Sequence, residues 1–172
     1  MHLDPDLNLN IADRCCNYTI DQFNSKFKSH LKNYSLYNHN LQSFHSKLSS
    51  FQTFLESIDH KFHSIVVTET WNTPNNVNLC HLDNYTSVHT YRKPSSSHRG
   101  GPGGGVSIFS DSLLYKIIKI EELSVCNDTI ETCVAEVFCI DDPSRNHVIV
   151  AIYRPHTDYR KFYSATISNS QS

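Results

Sequence analysis

The chain has 172 residues, which favours a single domain, and its 38% hydrophobic content is enough to build a core. Acidic and basic residues nearly balance at a formal net charge of −2, so the clustered basic excess typical of nucleic-acid-binding proteins is absent from the totals, although a local basic patch is compatible with them. No apolar run approaches the roughly 18 residues that a membrane-spanning helix requires, and no membrane partner is expected.

The opening residues and the cysteines indicate an intracellular protein. The first residues, MHLDPDLNLN, are acidic and polar, and we recognise no secretory signal in them. None of the six cysteines forms a C-x-x-C pair, which favours reduced thiols over a disulfide scaffold. The eleven histidines are scattered without paired metal-ligand spacing, so a structural zinc site is not expected.

The chain divides into three parts by composition. Residues 1–33 are predicted to be an N-terminal extension, residues 34–163 a domain, and residues 164–172 a polar tail without a core pattern. In the extension, TIDQFNSKFKSHL predicts a short helix with Thr19 as its cap and Gln22 three residues later, the spacing of a capping box.

The domain begins with a predicted strand, helix and strand. YSLYNHNL at 34–41 has the character of a strand, and SIVVT at 64–68 has the continuous apolar character of a strand covered on both faces. Between them lies an apolar stripe at helical spacing, formed by Phe44, Leu48, Phe51, Leu55 and Ile58. This order suggests a pair of parallel strands joined by a helix.

The rest of the domain is rich in strands. Short polar turns, near residue 127 and at 141–146, separate the last of them. The strand-like runs, which are rich in β-branched residues, are 85–92, 105–110, 114–120, 130–140 and 147–153. The predicted fold class is therefore α/β with mixed or antiparallel strands.

Two polar residues stand where the first two domain strands end. Glu69 directly follows SIVVT, and Asn40 lies at the end of the preceding strand. If these strands are parallel neighbours, both side chains emerge at the edge where α/β sheets bind ligands, and a carboxylate there is a candidate Mg²⁺ ligand. Trp71 is a candidate wall that excludes water from this site. A solvated strand-end carboxylate and a turn-forming asparagine are the alternative interpretations.

Further candidate residues lie near the later strands. Tyr153 and Arg154 end the strand AIYRP, where the tyrosine can donate a hydrogen bond and the arginine can bind an anion. Taken alone, the two residues are interpreted as an ordinary strand exit. All five glycines fall in RGGPGGGV at 99–106, which lacks the G-K-[ST] ending of a phosphate loop and is predicted to be a flexible turn. The flanking basic cluster, either a phosphate contact or solvated surface charge, consists of Arg92, Lys93 and Arg99.

The set of motifs resembles a known family. NHNLQSF, then FHSIVVTETW, then RGGPGGGVSIFS, then HVIVAIYRPHTD follow the order and spacing of the endonuclease/exonuclease/phosphatase superfamily. The likeness is greatest to the endonuclease domain of non-LTR (LINE-type) retrotransposon polyproteins, and it covers residues 34–162. It implies a four-layer sandwich of two β-sheets flanked by helices, and metal-assisted hydrolysis of phosphodiester bonds in DNA.

The resemblance also implies roles for three residues. Glu69 matches the family's ligand of the catalytic Mg²⁺ (or Mn²⁺), Asn40 matches a residue that supports the metal and phosphate end of the site, and Tyr153 matches a residue that points at the scissile phosphate. It implies further a nuclear location and a reverse transcriptase domain in the same polyprotein.

Several positions depart from the family pattern. Gln42 stands where the family commonly has Arg, Pro102 interrupts the glycine run, and His156 replaces a second Pro. The family's later G-D-F-N and S-D-H motifs have no counterpart, so the chain is expected to be the N-terminal part of the domain, with the C-terminal half missing, and to be inactive alone. The alternatives are a non-catalytic remnant or binding module with the same α/β shell, and a superfamily member acting on RNA or a phosphorylated small molecule.

Overall fold

The computed structural model describes residues 16–27, 34–91, 103–127 and 129–154. No helix in these segments is long and apolar enough to cross a membrane. The elements are α1 (Ile20–Phe27), β1 (Leu36–Asn40), α2 (Phe44–Ser57), β2 (Ser64–Thr68), β3 (Tyr85–Thr90), β4 (Val106–Asp111), β5 (Tyr115–Lys119), β6 (Glu131–Cys139) and β7 (His147–Tyr153). Short 3-10 turns occupy Val77–Leu79, Glu121–Leu123 and Pro143–Arg145.

The predicted helices and strands are confirmed, with boundaries that shift by a few residues. The capping box is present at the start of α1: Thr19 Oγ1 accepts the N–H of Gln22 at 3.3 Å, and Gln22 Oε1 accepts the N–H of Thr19 at 3.0 Å. The predicted continuation of α1 beyond Phe27 lies outside the described residues. The apolar stripe forms α2, in which Phe44 and Phe51 are buried.

The strands form two sheets. The first has the order β1-β2-β4-β3, and the second has the order β5-β6-β7. Strands β1 and β2 are parallel, with Asn40 opposite Thr68, as the strand-helix-strand pattern predicts. All other pairings are antiparallel. The mixed α/β fold is therefore confirmed.

Two apolar cores arrange these elements in layers. One core joins α2 to the first sheet and contains Phe44, Phe51, Ile65, Val67 and Phe109 among others. The other joins the two sheets and contains Val66, Val106, Ile108, Tyr115, Cys133, Ala135, Val137, Ile149 and Ala151. Strand β2 contributes alternate residues to both cores, which explains why all five of its residues are buried.

The described residues account for three layers, namely a helical layer and two sheets. On the outer face of the second sheet, Ile118, Val148, Val150 and Ile152 are each more than half exposed. No described helix packs there, so the predicted fourth layer is not among the described residues. The predicted domain limits also fall in segments that the structure does not describe, and they stay predictions.

Candidate functional site

The ends of β1 and β2 are joined at one edge of the first sheet. The N–H of Leu41 donates to the carbonyl of Thr68 at 3.1 Å, and the N–H of Ser43 donates to the carbonyl of Glu69 at 2.9 Å. The N–H of Phe44, at the start of α2, donates to the carbonyl of Thr70 at 2.8 Å. These bonds extend the parallel pairing beyond the strands and bring Asn40 and Glu69 to the same edge.

The backbone at this edge adopts an uncommon conformation. Glu69 and Trp71 have φ angles of 54° and 56°, and Gln42 and Ser43 on the facing segment have φ angles of 50° and 83°. Left-handed backbone at residues other than glycine persists only where the surrounding structure enforces it, and such positions concentrate at functional sites. Four of them on two adjoining segments identify this edge as a candidate site.

Asn40, Glu69 and Tyr153 form a hydrogen-bonded group that we call the carboxylate cluster. Asn40 Nδ2 donates to Glu69 Oε1 at 2.9 Å, and the Tyr153 hydroxyl donates to the same oxygen at 2.6 Å. Glu69 is 9% exposed, Tyr153 is half-buried and Asn40 is exposed. Since Tyr153 ends β7 in the second sheet, the cluster connects the two sheets. The expectation that Asn40 and Glu69 emerge at one edge is confirmed, Tyr153 lies there with them, and the chemical roles of the three residues stay predictions.

The end of the glycine-rich segment packs against the backbone of the cluster. Gly105 accepts the N–H of Thr70 at 3.2 Å through its carbonyl, and Gly104 accepts the N–H of Trp71 at 2.8 Å. Both glycines have positive φ, and a Cβ on Gly105 would lie only 2.7 Å from Thr70 Oγ1. This part of the predicted flexible turn is therefore a fixed support for the segment that carries Glu69.

Sequence reasoning missed a second carboxylate beside the cluster. Glu131, the first residue of β6, is fully buried, and its Oε2 accepts the N–H of Gly105 at 2.6 Å. It also lies opposite Tyr153 in the β6–β7 ladder. The sequence did contain a signal: in IETCVAEVFCI, Glu131 occupies the same series of every second position as Cys133, Ala135 and Val137, which face the core between the sheets.

Two side chains next to Glu69 carry buried polar groups without hydrogen-bond partners. Asn72 is 3% exposed, and neither its amide nitrogen nor its amide oxygen is bonded. The indole N–H of the partly exposed Trp71 is also buried and unbonded. Buried polar groups of this kind are costly and rare, although this edge is not unique in having them, since Tyr115 Oη and Thr90 Oγ1 are also buried without a hydrogen-bond partner.

Of the four basic residues predicted to contact phosphate, only Arg154 lies in the part of the chain that the structure describes. Arg154 follows Tyr153 directly and is exposed, at the same edge as the cluster. Arg92, Lys93 and Arg99 lie outside the described residues, and the basic cluster stays a prediction. The departures at Pro102 and His156 also lie outside them.

The donor set of the cluster fits a hard cation that keeps most of its water. The described residues contain no group of three or more His, Cys, Asp or Glu side chains that could hold a metal ion. One carboxylate with a neighbouring amide oxygen suits Mg²⁺, which is commonly bound by one or two carboxylates, with waters and substrate phosphates completing an octahedron. It does not suit zinc, which requires three or four protein ligands.

Comparison with known proteins adds a likeness of fold. The architecture resembles the solved endonuclease domain of TRAS1, a telomere-specific non-LTR retrotransposon, with a TM-score of 0.46 and 11% sequence identity. The match covers 80% of this chain and 54% of the TRAS1 domain, so the chain spans about half of that domain's length. No family model and no curated protein matches the sequence. A likeness at this level carries no argument about family or activity.

Proposed function

We propose that the carboxylate cluster is the cation- and phosphate-binding part of a phosphodiester-hydrolysing site of the endonuclease type, with DNA as its substrate. The observation that carries the proposal is the position of Glu69. Its carboxylate stands at the carboxyl end of a central strand, and donors from both sheets hold it there. Under this proposal the cation is Mg²⁺ or Mn²⁺, and the protein acts in the nucleus.

Glu69 supplies the negative charge that attracts a divalent cation. The bonds from Asn40 and Tyr153 reach Oε1 and fix the plane of the carboxylate before anything binds. A group held in place in advance loses little freedom on binding, which strengthens a site that has only one carboxylate. When bound, Mg²⁺ would supply Lewis-acid stabilisation of the charge on the phosphate.

Asn40, Tyr153 and Arg154 are suited to the phosphate. Asn40 uses its amide nitrogen on Glu69, and its amide oxygen is an acceptor for a water in the coordination shell. The single hydrogen of the Tyr153 hydroxyl is donated to Glu69, so this hydroxyl would donate to a phosphate oxygen only after that bond is released. A guanidinium such as that of Arg154 forms paired bonds with phosphate. Because Asn40 and Arg154 are exposed, an extended polymer has access to this edge.

The choice of DNA rests on the sequence motifs. T-E-T-W, G-G-G-V and Y-R-P occur in the order typical of retrotransposon endonucleases, and they supply Glu69, the glycine support and Tyr153 of this edge. RNA and phosphorylated small molecules are the competing substrates, and a binding module without catalysis is the competing class of protein.

The proposal is tested by the anisotropy of a short fluorescent DNA duplex titrated with the protein, with and without Mg²⁺. We expect binding that Mg²⁺ strengthens and that Glu69→Gln weakens by about tenfold or more. The matched control is Glu56→Gln, which removes an exposed carboxylate on α2 and should leave binding unchanged. The proposal is contradicted if the affinity for DNA changes neither with Mg²⁺ nor with Glu69→Gln.

Competition and nicking assays separate the alternatives. Displacement of the DNA by an RNA duplex or by a phosphorylated nucleoside at similar concentration identifies a different substrate class. Nicking of supercoiled plasmid with Mg²⁺, abolished by Glu69→Gln, identifies an enzyme. Mg²⁺-dependent binding without nicking shows a chain that is inactive by itself, which a binding module predicts and which the absent G-D-F-N and S-D-H motifs also predict.

A further inference from the structure

We propose that Glu131 is a positioning residue for the carboxylate cluster. Its carboxylate fixes Gly105, and the glycine segment in turn fixes the backbone that presents Glu69. The inference rests on the proposed function insofar as Glu69 binds a cation. Glu131 is fully buried and lies behind Gly105, so its contribution is to hold other residues in place and not to contact a substrate.

The burial of Glu131 requires a specific interaction. Glutamate is almost never fully buried unless it is paired, because removing a charge from water is expensive. The equivalent inward positions further along β6 are Cys133, Ala135 and Val137, and an apolar side chain would fill the position of Glu131 without that expense. The bond from the Gly105 N–H to Oε2, at 2.6 Å, is an interaction that an apolar residue cannot replace.

The bond reaches Glu69 through two backbone contacts. Gly105 accepts the N–H of Thr70, and Gly104 accepts the N–H of Trp71. Thr70 and Trp71 directly follow Glu69, whose own φ is 54°. A left-handed conformation at a glutamate needs support from its surroundings, and the glycine segment anchored by Glu131 provides it on one side.

Glu131 also borders the second support of the cluster. Glu131 and Tyr153 are directly opposite each other on β6 and β7. Side chains in that relation have Cβ atoms about 4.5–5.5 Å apart on the same face of the sheet. Glu131 is therefore bonded to the glycine segment and is the cross-strand neighbour of the tyrosine that bonds Glu69, so we expect its removal to disturb both.

The expected effect is on cation affinity. Residues that orient a metal ligand typically contribute about 10–100-fold to metal affinity. Glu131→Leu should therefore weaken Mg²⁺ binding by about tenfold or more. Glu131→Gln keeps an oxygen that accepts the Gly105 N–H, and it should stay within about threefold of the wild type.

Trp71 is the only tryptophan of the chain and reports directly on this segment. The experiment measures its emission maximum in metal-free protein and its response to added Mg²⁺ in the wild type, Glu131→Leu, Glu131→Gln and Val137→Ala. Val137→Ala is the matched control, because Val137 is a fully buried residue on the same face of β6 but farther from the cluster. Urea unfolding of each variant shows whether Glu131→Leu and Val137→Ala lower the free energy of unfolding by comparable amounts.

We expect Glu131→Leu to shift the metal-free emission and weaken the Mg²⁺ response, Glu131→Gln to restore both, and Val137→Ala to change neither. The proposal is overturned if Glu131→Leu has the same emission maximum and the same Mg²⁺ affinity as the wild type. Equal weakening by Val137→Ala also overturns it, because general destabilisation then explains the effect.

Two further comparisons keep the test decisive. If Glu131→Leu does not fold, Glu131→Asp replaces it: its carboxylate is charged but one methylene too short to reach Gly105, so it should weaken the Mg²⁺ response while Glu131→Gln does not. Equal responses of the Asp and Gln variants overturn the proposal. If neither the wild type nor Glu69→Gln responds to Mg²⁺, the proposed function fails, and the metal-free emission of the Glu131 variants still decides whether Glu131 positions this segment.

Discussion

Acid should destabilise the protein through His89, a residue of β3 that is neutral in the folded state. Its Nε2 lies 2.9 Å from Ser87 Oγ and its Nδ1 lies 2.7 Å from Ser107 Oγ, while its ring packs edge-on against Phe109. Burial, with a smaller contribution from Lys119, lowers the pKa of His89 to about 4. Protonation of this ring in the folded state is therefore unfavourable.

The sign and size of the effect follow from the two pKa values. The unfolded chain has a histidine pKa of about 6.5, so His89 is neutral in both states above that pH and its contribution to stability is fully present. As the pH falls from about 6.5 to about 4, the unfolded chain binds a proton that the folded protein does not. The free energy of unfolding then decreases by at most about 1.4 kcal/mol per pH unit, or about 3 kcal/mol in all.

The assay is urea unfolding at several pH values between about 7 and 4, on the wild type and His89→Asn. Asparagine does not titrate in this range and keeps polar groups for the two serines. We expect the wild type to lose about 3 kcal/mol more than His89→Asn over the range. His81→Asn is the matched control, because the His81 side chain is exposed, and it should follow the wild type. Parallel stability curves for the wild type and His89→Asn would refute the reasoning.

The other stability predictions are measured by the same urea unfolding at neutral pH. Gly105→Ala should lower the free energy of unfolding by about 1–3 kcal/mol, because of its positive φ and the approach to Thr70 Oγ1; Thr70→Ala in that background should recover part of the loss, and no recovery would mean that the contact does not matter. Phe51→Ala should cost about 3–5 kcal/mol, since Phe51 is 3% exposed in the core under α2, whereas Leu79→Ala at an exposed position should cost little. Equal costs for these two variants would argue against the core described here. Asn72→Leu should leave stability unchanged or raise it, because it removes two buried unbonded groups, and a loss above about 1 kcal/mol would indicate that the amide has partners in solution.

Local patterns account for most of the predicted fold. The run SIVVT is apolar throughout because β2 faces a core on each side, and the stripe from Phe44 to Ile58 repeats at helical spacing because one side of α2 covers the first sheet. The meeting of Asn40 and Glu69 follows from the parallel order of β1 and β2, since parallel strands end at the same edge.

Other features depend on relations that no local pattern contains. Tyr153 belongs to the second sheet, and its contact with Glu69 depends on how the two sheets pack, which the position of Tyr153 at the end of a strand does not determine. The support by Gly105 depends on a positive φ and a close approach that composition does not reveal. Glu131 was recognisable only by its inward parity in β6, a weak signal in a sequence with several strand-like acids.

The most direct test of the account is the binding of Mn²⁺ to the carboxylate cluster, followed by the loss of the free-ion electron paramagnetic resonance signal. One carboxylate cannot organise an octahedral shell alone, so we expect a single weak site that a short DNA duplex tightens. Glu69→Gln should abolish it and Glu56→Gln should preserve it. Tight binding without DNA, or binding unchanged in Glu69→Gln, would place the cation elsewhere and contradict the central claim.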